Sequence, residues 1–166
     1  MTFRAYNEPP SVTDRKPIDE MTILRSNEFF VDYYKPAQAL WYGTFAGTYE
    51  AEKDDDFEFG LSVYGTGKLY VNDELVVDNE TTQRQGQTFF GSGTVEEKGT
   101  VKLEKGRKYN VRVEFASAPA SKLISDAVVV SAGGGLRIGG AWVIDAEEEI
   151  KKAAALAKER SEERRV

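Results

Sequence analysis

The stretch "DFEFGLSVYGTGKLYVNDELVVDN", Asp56–Asn79, decides the fold. Phe57, Phe59, Leu61 and Val63 fall on one side of an extended chain, and Glu58, Gly60 and Ser62 fall on the other. A repeat of two is the signature of a strand with one buried face. "YGTG" and "VNDE" then break the run with the residues that turns favour. The spacing therefore predicts consecutive hairpins.

The same texture extends outward. "FFVDYY", "LWYGTFAGTYEA", "QTFFGSGTVE", "GTVKLEKG", "KYNVRVEFAS", "DAVVVSAGGG" and "LRIGGAWVID" are short runs rich in Val, Tyr, Phe and Leu, bounded by Gly, Asp or Asn. In "YNVRVEF", Tyr109, Val111, Val113 and Phe115 share a face opposite Asn110, Arg112 and Glu114. Turn signals recur about every 8 to 15 residues, which predicts an all-β antiparallel sandwich or barrel over 29–145. Trp41 and Trp142 sit in strand-like runs and are expected in the core. The first 28 residues, rich in proline and without period, are read as an extended lead-in outside that core. Beyond it, "DAEEEIKKAAALAKERSEERRV" has alanines in the middle, acids first and bases last, as a helix dipole prefers. Asp145 is the expected N-cap with Glu148 at the capping-box position, so a helix over 146–166 starts at Ala146. Its apolar residues, Ile150, Ala153, Ala154, Leu156 and Ala157, form a thin stripe whose partner surface is expected partly outside this chain.

Composition excludes several functions. With 166 residues the chain is long enough for one sizeable core. A net charge of −6 argues against nucleic acid or an anionic membrane as partner. The absence of His and Cys removes the commonest general base, the commonest metal ligand and any disulfide. No motif asks for a cofactor. "GGG" at 133–135 and "GG" at 139–140 lack the lysine and the strand–helix order of phosphate loops and read as tight strand connections. "DDD" at Asp54–Asp56 reads as a strand-entry turn rather than a calcium loop. "NET" at Asn79–Thr81 is a formal glycosylation sequon.

The puzzle is Phe89–Phe90, the bulkiest apolar pair in an otherwise polar and glycine-rich stretch, "NETTQRQGQTFFGSGTVEEKGT". Two readings stand. In one the pair lies in a strand, one ring facing the core and the other a neighbouring strand. In the other at least one ring faces solvent and stacks on the flat C–H face of a pyranose. Gln83, Arg84, Gln85 and Gln87 are then the polar accompaniment, because amides and a guanidinium pair with sugar hydroxyls.

Three blocks carry a family resemblance: "TFRAYNEPPSV", "TTQRQGQTFFGSGTVEE" and "GGGLRIGGAWVIDAEEEI". Together with the hairpins of Asp56–Asn79 they resemble the PA14 domain, and most nearly the PA14 domain inserted in fungal-type β-glucosidases of glycoside hydrolase family 3. The likeness runs from Thr2 to Glu159, and the tail "RSEERRV" departs from it. The resemblance implies a β-sandwich whose two ends join the parent scaffold, with the catalytic carboxylates in other domains. It implies an accessory carbohydrate-recognition domain that does not hydrolyse anything alone. Its partners would be gluco-oligosaccharides, bound weakly, and the parent's catalytic domains. An aromatic of the loop, Phe89 or Phe90, with Arg84, Gln85 and Gln87, would shape the active-site entrance and the chain-length preference. PA14 adhesins carry a calcium-binding Asp-Asp pair at positions that here are Tyr64 and Gly65, so their calcium dependence is not carried over. Two alternatives remain at this point. One is a structural insert that mediates assembly through the aromatic pair; the other is an independent glycosidase using two of the many acids.

Overall fold

The computed structural model describes residues 1–123, 133–144 and 146–165. Chain order gives β1 (Thr2–Tyr6), β2 (Asp19–Thr22), β3 (Asn27–Phe30), β4 (Tyr42–Glu50), β5 (Asp55–Tyr64), β6 (Thr66–Val71), β7 (Glu74–Asn79), β8 (Glu97–Leu103), β9 (Lys108–Ala116), β10 (Gly134–Trp142) and the helix α1 (Ala146–Glu163). All strand pairs are antiparallel and form two sheets, β2-β1-β4-β9-β6-β7 and β3-β10-β5-β8. The predicted run within "DAVVVSAGGG" lies at 126–132, outside the described residues, as does the Asp145 cap.

The alternating positions pack as the pattern requires. Phe57, Phe59, Leu61 and Val63 of β5 and Tyr109, Val111, Val113 and Phe115 of β9 all point into the space between the sheets and are buried. At the "VNDE" turn, Asn72 and Asp73 both have positive φ (47° and 66°), which twists the hairpin with the strands it joins. Asn72 is fixed further by its backbone N–H on Asn110 O and its side-chain oxygen on Asn110 N, both at 2.9 Å.

One end of the core is an aromatic cluster. Trp41, Phe3, Phe45 and Phe115 are completely or almost completely buried, with Phe3 and Phe45 centroids 4.7 Å apart and Tyr33 and Trp41 4.9 Å apart. Each such ring contributes about 2–3 kcal/mol by leaving water. Trp142 instead closes the core's other side, edge-on to Phe57 at 5.1 Å.

Two expectations are corrected. The N-terminal segment is not outside the core: β1 lies between β2 and β4, and Phe3 and Ala5 are fully buried. The reason is a five-residue alternation, Thr2 to Tyr6, too short to stand out beside the prolines that follow. Nor is "QTFFGSGTVE" a strand. Phe89–Gly91 forms a single tight turn, closed by Gly91 N on Thr88 O at 3.1 Å, because the surrounding glycines supply no side chains to fill a sheet face. The helix begins at Ala146 as its sequence predicts, and every residue from Glu147 to Arg165 is exposed. Its described stabilising contacts are its own ion pairs, Glu147–Lys151 at 3.2 Å and Glu148–Lys152 at 3.3 Å.

Candidate functional site: an aromatic platform on the four-stranded sheet

Residues 80–96 leave the edge of the β6–β7 hairpin and arch back over the outer face of the smaller sheet. Their base is tied to the sandwich by buried groups. Asn79 is completely buried, and its side-chain amide donates to Leu61 O and to Thr94 Oγ1, each at 2.8 Å. Thr94 in turn accepts from Val63 N at 3.0 Å and donates its own N–H to Val63 O at 2.9 Å. The folded chain therefore does not present Asn79 for glycosylation, which corrects the sequon reading. The sequon's asparagine is a structural pin.

Above this base the loop is closed by main-chain bonds: Gly86 N to Gly93 O at 2.9 Å, Val95 N to Arg84 O at 2.9 Å, Gly93 N to Thr88 O at 3.0 Å. Thr88 Oγ1 donates to Thr94 O at 2.9 Å, and the Gln85 side-chain amide donates to Gly91 O. Gly86 is required for this closure, since a Cβ there would stand 2.4 Å from the Thr94 carbonyl. The loop is thus a braced structure rather than a loose tether.

At its tip Phe89 and Phe90 both adopt left-handed backbone, with φ of 51° and 56°. Two consecutive bulky residues in that region cost about 1–2 kcal/mol each. Such strain persists only where the surroundings enforce it, and it collects at working surfaces. The consequence is a division of labour between the rings. Phe89 is half-buried and lies flat on β10: a Cβ at Gly135 would meet its Cε1 at 2.5 Å, so the missing side chain of Gly135 is the seat of that ring. Phe90 is 94% exposed.

Neither ring stands alone. Phe29 of β3, 41% exposed, has its centroid 5.5 Å from Phe89 and 6.1 Å from Phe90, and Tyr64 of β5 lies 6.2 Å beyond Phe29. Four aromatics from two strands and one loop therefore form a continuous platform on the outer face. Phe29 was not among the residues the sequence singled out. Its strand, "FFVDYY" in the sequence, ends at Phe30, so the ring at 29 points outward while Phe30 packs on Phe3 and Trp41.

The polar residues of the loop are brought near the platform but mostly engaged elsewhere. Arg84 makes a two-point ion pair with Glu97, 2.8 and 3.0 Å, which holds the guanidinium above its usual range. Gln83 braces the loop base, its amide donating to Gly65 O and Asn79 O and accepting from Lys122 N. Gln85 locks the tip, as described. Gln87 is exposed.

The remaining motifs have structural roles. Gly65, at φ 126°, passes so close to Ala116 O that a Cβ would lie 2.1 Å from it. Asp54 accepts from Lys105 N at 2.8 Å, and Asp55 opens β5 while accepting from Asp56 N at 2.8 Å. Among the described residues no group of three or more acidic side chains is placed to hold a metal ion.

The PA14 domain model matches residues 7–148. A probable β-glucosidase I of Aspergillus clavatus is 48% identical over 157 residues, covering 93% of this chain and 19% of its own length. A probable β-glucosidase J of Emericella nidulans is 46% identical over 160 residues, covering 95% of this chain and 19% of its own. Among solved structures, a β-glucosidase from Kluyveromyces marxianus in complex with glucose superposes with a TM-score of 0.79 at 35% identity, over 94% of this chain and 18% of that one. The chain thus spans about a fifth of the length of the curated relatives it matches.

Proposed function

The chain belongs to the PA14 domain family, and from that premise we propose that it is the PA14 insert of a family 3 β-glucosidase whose Phe90 ring forms part of the substrate entrance. The relatives that match along nearly all of this chain are named β-glucosidases and are about five times its length, so the catalytic carboxylates belong to the rest of such a polypeptide. This chain's role is recognition.

The observation that carries the reading is the state of Phe90: almost fully exposed, yet held in a strained backbone by a loop closed with main-chain and side-chain hydrogen bonds. A ring fixed in that way loses little freedom when a ligand docks, so more of the stacking energy appears as affinity. A sugar face laid on the ring gains apolar burial and C–H contact worth about 1–1.5 kcal/mol. One platform cannot offset the full cost of association, so the isolated chain binds gluco-oligosaccharides weakly and the full enzyme supplies the opposing wall. An entrance walled on one side by a rigid aromatic admits short oligosaccharides better than long ones.

The test is Phe90→Ala in the full-length enzyme. It lowers kcat/KM for gluco-disaccharides about tenfold, chiefly through KM, and leaves Tm unchanged because the ring packs on little. Unaltered kinetics across disaccharides and longer substrates would remove the proposal.

A further inference from the structure

A stacked sugar also needs partners at its edge, because hydroxyls withdrawn from water without hydrogen bonds cost more than the stacking returns. The loop offers few. Arg84 is committed to Glu97, Gln83 to the loop base and Gln85 to the turn at Gly91. Only the single amide of Gln87 is left exposed on the loop, so a paired set of donors has to come from outside it.

The outer face of β10 supplies a candidate. Its outward positions read Gly135, Arg137, Gly139 and Ala141. Gly135 is covered by the Phe89 ring, and the Glu96 carboxylate reaches across Gly139, where a Cβ would stand 3.3 Å from Oε2. Between those two covered glycines Arg137 rises alone from the floor. It is exposed, and its side chain makes no hydrogen bond or ion pair among the described residues. In register it pairs with Asn27 of β3 and Ser62 of β5, one diagonal step from Phe29. That step is about 7–8 Å, within reach of an extended arginine, and Phe29 is itself 6.1 Å from Phe90. On the sandwich, Arg4, Arg15, Arg84, Arg107 and Arg112 are taken by carboxylates, whereas the guanidinium of Arg137 remains available beside the platform.

We infer that Arg137 is the polar half of the sugar site: its guanidinium fork donates to two adjacent hydroxyls of the pyranose stacked on Phe90, so the site selects leaving groups that carry a vicinal diol. A planar fork of paired donors matches two neighbouring oxygens better than a single amide does. Glu96, across Gly139, is the acceptor for a hydroxyl proton on the same edge. The inference rests on the proposed role of Phe90 and adds a requirement the ring alone does not impose.

Two substrates separate the claims in the full-length enzyme: a gluco-disaccharide, whose leaving sugar has vicinal hydroxyls, and p-nitrophenyl β-glucoside, whose leaving group is flat and has none. Phe90→Ala lowers kcat/KM for both. Arg137→Ala lowers it roughly tenfold for the disaccharide alone, through KM, with Arg137→Lys recovering part of the loss and Tm unchanged in each. Equal losses on both substrates would make Arg137 a structural residue and overturn the inference. So would an unaffected disaccharide rate in a background where Phe90→Ala still impairs it, which leaves the role of Phe90 standing. If Phe90→Ala impairs neither substrate, both ideas fall together.

Discussion

Phe90 occupies backbone that glycine adopts without cost and phenylalanine does not. Its side chain is almost entirely in solvent, so no burial offsets that cost. Phe90→Gly should therefore stabilise the fold: release of about 1–2 kcal/mol of left-handed strain exceeds the extra entropy of glycine in the unfolded chain, leaving a gain of roughly 0.5–1 kcal/mol. Thermal unfolding should register a Tm a few degrees higher, together with the same kinetic loss as Phe90→Ala. An unchanged or lower Tm would show that the pair is not strained. Phe89 behaves differently, since its ring fills the seat left by Gly135 and holds the tip down. The sequence announced both rings as anomalous but not which one faces out. That choice depends on two left-handed dihedrals and one glycine 45 residues away in β10, neither of which leaves a local pattern.

At the level of elements, alternation was a dependable guide wherever a strand is long and sets every second side chain into the core, as in β5 and β9. It misled where the element is short or the apolar residues serve another purpose. The five residues of β1 look like part of a proline-rich leader, yet Phe3 touches Phe30, Tyr33, Trp41 and Phe45. Phe3→Ala should accordingly cost about 3–5 kcal/mol in chemical denaturation, as for a phenylalanine removed from a packed core. A loss under about 0.5 kcal/mol, normal for surface sites, would restore the leader reading. The candidate site was legible only in part. Composition pointed to the loop, but Phe29 and Arg137 reach it through sheet pairing, β3 to β10 to β5, which no single segment encodes. Conversely Arg84 and Gln85, natural sugar ligands by residue type, are taken by Glu97 and Gly91 O.

On the scale of the whole molecule, the sandwich is a rigid mount. The larger sheet and the aromatic core fix the smaller sheet, the smaller sheet fixes the loop through Asn79 and Thr94, and the loop fixes Phe90. The helix at one end is exposed along its described length, and the same proposal sets its thin apolar stripe against the parent enzyme. The central claim, that this mount presents an aromatic ring to a sugar, is tested most directly by a crystal structure of the full-length enzyme with a gluco-disaccharide bound. The account predicts the leaving sugar's ring face-on to Phe90, its centre about 4.5–7 Å from the phenyl centroid. Density placing that sugar clear of Phe90, with the ring turned to bulk water, would contradict it.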